Sequence, residues 1–389
     1  MSPARSSLWA DTSLSAIVAG FVAVLVGFTS SVAIVFAAAQ AVGANAAQTA
    51  SWIWALGLGM GFTSLGLSLW YRRPVLTAWS TPGAALIAAS HGIGLPEATG
   101  AFLVCALLIA VAGYSGLFER LMDRIPAAIA QALLAGVLTR FALDAALSTA
   151  SAPTLVLSML AAYLAGRRWW PRYAVPGVLV AGLVAAALGG RLALGAVELA
   201  WATPVWVTPV FSWGAVIGLG LPLFVVTMAS QNLPGVAAQR AAGYDTPVSP
   251  VVGATGLASA LLAPFGGYAL NLAAITAALC MSPEAHAEPR RRYWASAWAG
   301  GFYIATGLAG GAVAALFGAL PRELVITLAG LALLGTIGSG LAGAVKDEGH
   351  RDAAVLTFIV TLSGVSLAGI GAAFWAVLAG SAALAVRRR

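Results

Sequence analysis

Four short stretches of this chain place hydrogen-bonding side chains inside otherwise apolar runs. They are Thr29-Ser30-Ser31, Trp79-Ser80-Thr81-Pro82-Gly83, Ser230-Gln231-Asn232, and Pro264-Phe265-Gly266-Gly267-Tyr268 followed by Asn271. Every polar group among them is neutral. Hydroxyls and amides of this kind fix the orientation of a small solute, and Phe28, Trp79, Phe265 and Tyr268 beside them supply an apolar, aromatic lining. The chemistry they point to is recognition of a small amphiphilic molecule; an aromatic acid fits both halves of that description. Candidate binding residues are therefore Ser30, Ser31, Trp79, Ser80, Thr81, Gly83, Gln231, Asn232, Gly266, Gly267, Tyr268 and Asn271.

Two of the stretches are broken by Pro and Gly. Backbone that leaves a helix within lipid exposes N–H and C=O groups that only protein, water or ligand can satisfy, so such breaks must face inward. If the chain enters extended and becomes helical near Pro82 and near Tyr268, two helix N-termini converge, each favouring an anion such as a carboxylate. Pro82 suits a first turn, where its missing N–H has no partner to lose. Gly266 and Gly267 let backbone approach a ligand closely. Plainer readings stand beside these. Ser and Thr in membrane helices often bond their own i−4 carbonyl, and Pro or Gly also kinks packed helices.

Other chemistries find little support. The 13 carboxylates fall in loops or near segment ends, leaving no intramembrane proton carrier in view. No metal-ligand cluster, phosphate-binding loop or Ser/His/Asp constellation stands out, so neither an enzymatic role nor a metal or other cofactor is expected. Cys105 and Cys280 lie in apolar segments and read as packing residues. Arg140 and Asp144, spaced i, i+4, are placed to form an ion pair.

The elements that must position these residues follow from composition. Of 389 residues, 60% are hydrophobic and only 8% charged, which marks lipid as the main solvent. Apolar segments recur near 13–39, 50–70, 76–91, 97–118, 125–147, 151–166 and 174–189, then near 211–231, 249–263, 268–282, 293–317, 322–344, 352–369 and 371–386. This makes fourteen crossings of an all-α membrane protein, in two sets of seven. With both termini in the cytoplasm, all of the 20 basic residues except Arg140, Arg191 and Arg322 fall on the inner side. That pattern also accounts for the net charge of +7 without nucleic acid as a partner. An odd number of crossings per half makes the internal repeat inverted, and the short, interrupted third and tenth segments correspond within it. Gly57-x-x-x-Gly61 marks close helix packing, and Trp201, Trp206 and Trp213 suit an interfacial belt.

At Gly27–Ser31, Ala78–Gly83, Ala229–Gly235 and Pro264–Thr276 the chain resembles the benzoate:proton symporter family (BenE), and the resemblance spans nearly its whole length. It implies a bacterial inner-membrane secondary transporter that imports benzoate with a proton. The wider architecture is similar to the uracil-permease type, with half-helices at segments three and ten. That likeness assigns residues 1–120 and 201–318 to a core domain and 121–200 and 319–389 to a gate domain, and carries the expectation of a homodimer. Nucleobase relatives of that fold place acids on segments eight and ten where this chain has Gln231 and Asn271 or their neighbours, a departure that suits an anionic substrate. A nucleobase carrier and a passive anion channel remain the alternatives.

Overall fold

The structure, a computed structural model, describes residues 11–116, 127–170, 174–192, 201–273, 275–283, 285–365, 367 and 372–387. The side chains of Thr29 and Ser30 lie outside the described residues. In chain order the main elements are α1 (Leu14–Ala41), α2 (Ala46–Tyr71), β1 (Thr77–Trp79), α3 (Thr81–Ala88) and α4 (Leu95–Tyr114). Then come α5 (Ala127–Leu147), α6 (Pro153–Trp169) and α7 (Ala174–Leu188). A long helix, α8, runs through Trp213–Ala215, Val216–Gly220, Leu221–Thr227, Met228–Asn232 and Leu233–Ala241. It is followed by α9 (Val248–Leu262), β2 (Leu270–Leu272), α10 (Ile275–Met281), α11 (Tyr293–Leu308), α12 (Gly310–Gly318), α13 (Arg322–Ala344), α14 (Arg351–Ser363) and α15 (Ala372–Arg387).

The helix starts are written locally. Ser13 caps α1 by accepting from Ala16 N at 3.2 Å. Asn45 and Gln48 exchange side chain-to-backbone bonds of 2.9 Å each at the head of α2, a reciprocal capping box. Prolines stand in the first turn of α3, α4 and α6, where they cost no hydrogen bond. Among the described residues, 5 helices are long and apolar enough to cross a membrane, or up to 7 if the pairs bent by 43° within α1 and by 67° between α11 and α12 count as single spans. This is a helical, multi-pass membrane protein.

Two features depart from the all-α expectation. The first is a two-stranded antiparallel ribbon, β1 with β2, in the register Thr77↔Leu272, Ala78↔Asn271 and Trp79↔Leu270. The chain therefore does not become helical near Tyr268 but at Ile275, seven residues later than the sequence reading placed it. The reason is backbone accounting: buried extended chain needs partners for every N–H and C=O. The inner edges of the strands satisfy one another, and side chains accept from the outward N–H groups. Thr77 N donates to Ser64 Oγ at 2.9 Å and Trp79 N to Met60 Sδ at 3.2 Å. On the other strand Leu270 N donates to Ser259 Oγ at 2.9 Å and Leu272 N to Asn232 Oδ1 at 3.0 Å. Thr77 Oγ1 ties the ribbon further to α2 through Thr63, Ser64 and Met60.

The second departure is in α8, whose path widens into π-helical turns at Val216–Gly220 and Met228–Asn232. Leu221 N bonds back to Val216 O and Leu233 N to Met228 O, each five residues earlier. Pro222 and Pro234 follow immediately. Proline inside a helix lacks an N–H and collides with the carbonyl four residues back; one wider turn ahead of it relieves the collision.

Packing falls into recognisable pairs: α2 on α11, α4 on α9, α1 on α3 and α11, α5 on α13 and α14, α6 on α7, and α14 on α15. The α2–α11 pair is backbone against backbone. A Cβ on Gly57 would fall 2.5 Å from Gly307 Cα, and one on Gly61 2.8 Å from Gly300 O, so the GxxxG stripe is a contact surface. Gly66, on the same helix, faces open space. Gly57→Leu is expected to abolish monodisperse folded protein in detergent, whereas Gly66→Leu should purify and melt like the parent. Equal behaviour of the two would disprove the contact. The predicted Arg140–Asp144 ion pair does not form among the described residues. Arg140 instead reaches the carboxyl end of α14, where a Cβ on Gly364 would fall 2.2 Å from its Nη1. Unpaired carbonyls and the helix dipole favour a cation at that end.

Candidate functional site

The ribbon brings the second and fourth polar stretches side by side, and α1 and α8 bring the other two against them. Trp79 is the link to α1: its indole Nε1 donates to Ser31 Oγ at 2.9 Å, and Ser31 in turn donates to Gly27 O at 2.8 Å. Phe28 meets the Trp79 ring edge-on, with centroids 5.3 Å apart. Ser30 belongs to the same turn of α1, but its side chain is outside the described residues.

Ser80 is the N-cap of α3 and fully buried. Its oxygen accepts from Gly83 N at 3.0 Å and from Thr227 Oγ1 of α8 at 3.0 Å. Gly83 is required by that cap: a Cβ would fall 2.6 Å from Leu223 Cδ1 and 2.8 Å from Ser80 Oγ. Ala84 N bonds Ser80 O at 2.8 Å and Pro82 carries no N–H, so the N–H of Thr81 is not taken up within the first turn of α3. Thr81 is half-buried, as is Ala78 on β1, while their neighbours Trp79 and Ser80 are buried. Ser80→Ala should remove the cap and strand Thr227 Oγ1. The expected cost is about 1 to 2 kcal/mol, read as a lower melting temperature with transport reduced but present; an unchanged melting curve would refute the cap assignment.

On α8, Gln231 is half-buried within the π turn Met228–Asn232, a kind of turn often found where function needs a side chain re-aimed. Its neighbour Asn232 is fully buried and committed to the ribbon: Oδ1 accepts from Leu272 N, and Nδ2 lies 3.2 Å from Met228 Sδ.

The fourth stretch divides in two. Gly266 adopts φ +94°, and a Cβ there would fall 1.8 Å from Trp52 Cδ1. Gly267 packs on Leu262, 2.7 Å from where its Cβ would stand. Tyr268 is enclosed by Trp52 and Phe102, with ring centroids at 5.7 and 5.8 Å. Here Gly266 admits an aromatic side chain of the protein itself, and Gly267 lets the chain pass close to the end of α9. Asn271 is different. It is fully buried, and its Nδ2 donates to Ala269 O at 3.0 Å. That contact fixes which end of the amide is which, because a carbonyl can only accept. Its Oδ1 has no partner. By register Asn271 shares one face of the ribbon with Ala78, the face opposite the one Thr77 turns to α2.

Sequence reasoning missed the supports behind these residues: Thr63, Ser64 and Met60 under β1, Ser259 under β2, Thr227 behind Ser80, and the Trp52–Phe102 clamp on Tyr268. A signal existed for some. Ser64 and Ser68 sit i, i+4 on one face of an apolar helix, and Ser68 holds Val75 by two bonds at 2.8 and 3.2 Å.

Among solved structures the chain resembles the transmembrane domain of a cyanobacterial bicarbonate transporter, BicA, with a TM-score of 0.55 and 14% identity over 94% of this chain and 97% of that one. It also resembles SLC26A9 (TM-score 0.63, 14% identity, 96% of this chain and 65% of that one). Identities this low speak to the fold alone. In sequence it is 49% identical to the inner membrane protein YdcO of Escherichia coli over 365 residues, 94% of this chain and 93% of that protein. It is 40% identical to a benzoate membrane transport protein of Acinetobacter baylyi over 381 residues, 98% and 97% of the two chains. The family model described as BenE, benzoate membrane transport protein, matches residues 10–386. A ribbon-centred site of neutral polar groups, inside a helical membrane fold shared with transporters, thus sits in a chain that belongs to the BenE family of benzoate membrane transport proteins rather than to any family of enzymes.

Proposed function

We propose that this chain is a secondary active transporter that carries benzoate, or a closely similar aromatic carboxylate, together with a proton across a bacterial inner membrane. The observation that carries the reading is the neutral polar centre at the ribbon. Asn271 offers an unpaired buried acceptor on one face of the ribbon, Thr81 opens α3, and Trp79 meets Phe28 of α1, in a chain 40% identical to a benzoate membrane transport protein. The carboxyl group is held by the head of α3 and Asn271, and the ring lies against neighbouring aromatic side chains. Gln231, half-buried on the neighbouring π turn, is the remaining side chain suited to touch the solute.

In this reading the chain crosses fourteen times as two inverted repeats of seven, both termini are cytoplasmic, and β1–α3 and β2–α10 are the half-helices. The core is 1–120 with 201–318 and the gate 121–200 with 319–389. The pairing of α5 with α13 and α14 on one side, and of α2 with α11 and α4 with α9 on the other, supports that division. Rocking of gate against core exposes the site to each side in turn. Assembly as a homodimer is part of the same reading.

The test is uptake of labelled benzoate into proteoliposomes, with empty liposomes as control, with and without an inward proton gradient, and with uracil as competitor. Accumulation above equilibrium that collapses with a protonophore and resists uracil is the expected result. Equilibration without accumulation would make the protein a passive carrier or channel, and displacement by uracil would move it to the nucleobase carriers.

A further inference from the structure

A small cavity lies where α8 ends, at Ala241, and α9 begins, at Val248. Gln239, Arg240, Tyr244, Thr246 and Val248 line it, and the rest of its wall is apolar. It is partly open to the surface and has room for one water-sized group. Part of the apolar wall is Leu272, which pairs with Thr77 on the face of the ribbon away from Asn271. The cavity is therefore distinct from the polar centre described above.

Its lining presents donors without acceptors. Thr246 is only 8% exposed, and its Oγ1 is buried with no partner. Helix α9 has no side-chain cap. Pro250 in its first turn carries no N–H and Val251 N reaches Pro247 O at 3.4 Å, so the N–H groups of Val248 and Ser249 are not taken up within that turn. Arg240 is exposed and makes no ion pair among the described residues. Gln239 and Tyr244 are anchored elsewhere: Gln239 Nε2 donates to Pro74 O at 3.3 Å, and the Tyr244 hydroxyl donates to Pro289 O at 2.9 Å.

The charge around the cavity has one dominant sign. Burial pushes the Tyr244 phenol up, and the guanidinium groups of Arg292 and Arg73 pull it back, which places two further cations near the same wall. Asp245, the neighbouring carboxylate, is exposed and pairs with no cation among the described residues. A single water would satisfy Thr246 Oγ1 but bring no charge to Arg240 or to the positive end of α9. An oxyanion answers all three. One of its oxygens, about the size of a water, enters and accepts from the Thr246 hydroxyl. The others stay at the mouth, where a guanidinium fork matches them and the helix start favours negative charge.

We propose that this cavity binds a phosphate group between Thr246, the head of α9 and Arg240, supplied either as free phosphate or as the headgroup of an anionic phospholipid. Three guanidinium groups favour a group that carries more than one negative charge. Both helices that meet here, Trp213–Arg240 and Val248–Phe265, are long and apolar enough to cross a membrane, so their junction falls where phospholipid headgroups lie. The site does not depend on which solute the protein carries.

Two arms test it on purified, delipidated full-length protein. In the first, binding of inorganic phosphate is followed by its phosphorus NMR line width. In the second, retention of phosphatidylglycerol against phosphatidylcholine from mixed micelles is read by native mass spectrometry. Arg240→Gln should weaken binding at least about tenfold and Thr246→Val severalfold. Arg168→Gln, which removes an exposed arginine at the end of α6, should leave binding unchanged, and melting curves check that each variant folds. Binding in the first arm alone identifies free phosphate as the ligand; binding in the second alone identifies the lipid headgroup. Either supports the site when Arg240→Gln and Thr246→Val weaken it. No saturable binding in either arm would overturn the proposal and leave the cavity to a water. Binding that survives both variants, or that Arg168→Gln weakens equally, would overturn it as well.

Discussion

Replacing Asn271 by leucine is expected to lower benzoate uptake, as kcat/KM in proteoliposomes, by about 10- to 100-fold. That is the scale of one buried hydrogen bond of about 1.5 to 3 kcal/mol. The side chain is fully buried, nearly isosteric with leucine, and spends Nδ2 on Ala269 O, so folded protein should survive with a small drop in melting temperature. Ala269 holds φ +38°, and the loss of the bond that steadies its carbonyl is the source of that drop. The discriminating control is Asn232→Leu. Asn232 is equally buried but has both ends of its amide committed, to Leu272 N and Met228 Sδ. Its loss strands a buried strand N–H and should damage stability first and transport through it. If Asn271→Leu transports normally, Asn271 is not in the site; if both variants behave alike, the distinction between a binding amide and a structural one fails.

The most severe single change in the ribbon region should be Gly266→Ala. At φ +94° a Cβ is strained in any surroundings, and here it would fall 1.8 Å from Trp52 Cδ1 and 2.3 Å from Trp52 Nε1. The indole cannot retreat, because Phe102 and Tyr268 stand against it at 5.5 and 5.7 Å between centroids. Several kcal/mol of destabilisation are expected, roughly 1 to 2 from the backbone and 1 to 3 from the overlap. The result should be aggregated or proteolysed protein. Combining it with Trp52→Ala should return part of the yield, since that removes the overlap and leaves the backbone strain. A well-folded Gly266→Ala single variant would mean that the turn is not built as described.

Much of the architecture was legible because lipid imposes a strict rule on sequence. Uninterrupted apolar runs must be helices, so α2, α4, α9 and α13 fall within a few residues of their expected limits. The two interruptions were legible for the same reason, since Trp79–Gly83 and Pro264–Tyr268 are where the run of helix formers stops. What replaced the helix was not legible. Leu270-Asn271-Leu272 reads equally well as helix or strand, and only a partner strand nearly two hundred residues away decides it. The π turns were hidden because they depend on where Pro222 and Pro234 fall inside a helix that continues past them.

The candidate residues divide by what their polar atoms already do. Ser31, Ser80 and Asn232 bond Trp79, the head of α3 and β2 respectively, so their neutrality serves assembly of the site. Residue type alone could not separate them from Asn271 or Gln231, because an amide that holds a strand and one whose polar atoms are uncommitted are the same letter.

The ribbon has a consequence for how the protein comes into being. β1 leaves the ribosome long before β2, and until β2 arrives its inner edge has no partner in the apolar interior. The first half can therefore insert its helices but cannot complete its centre. The edge must wait, shielded by neighbouring helices or a chaperone, for nearly two hundred residues of further synthesis. A chain knitted together at its middle is one folding unit, however separable its halves look when laid out along the sequence.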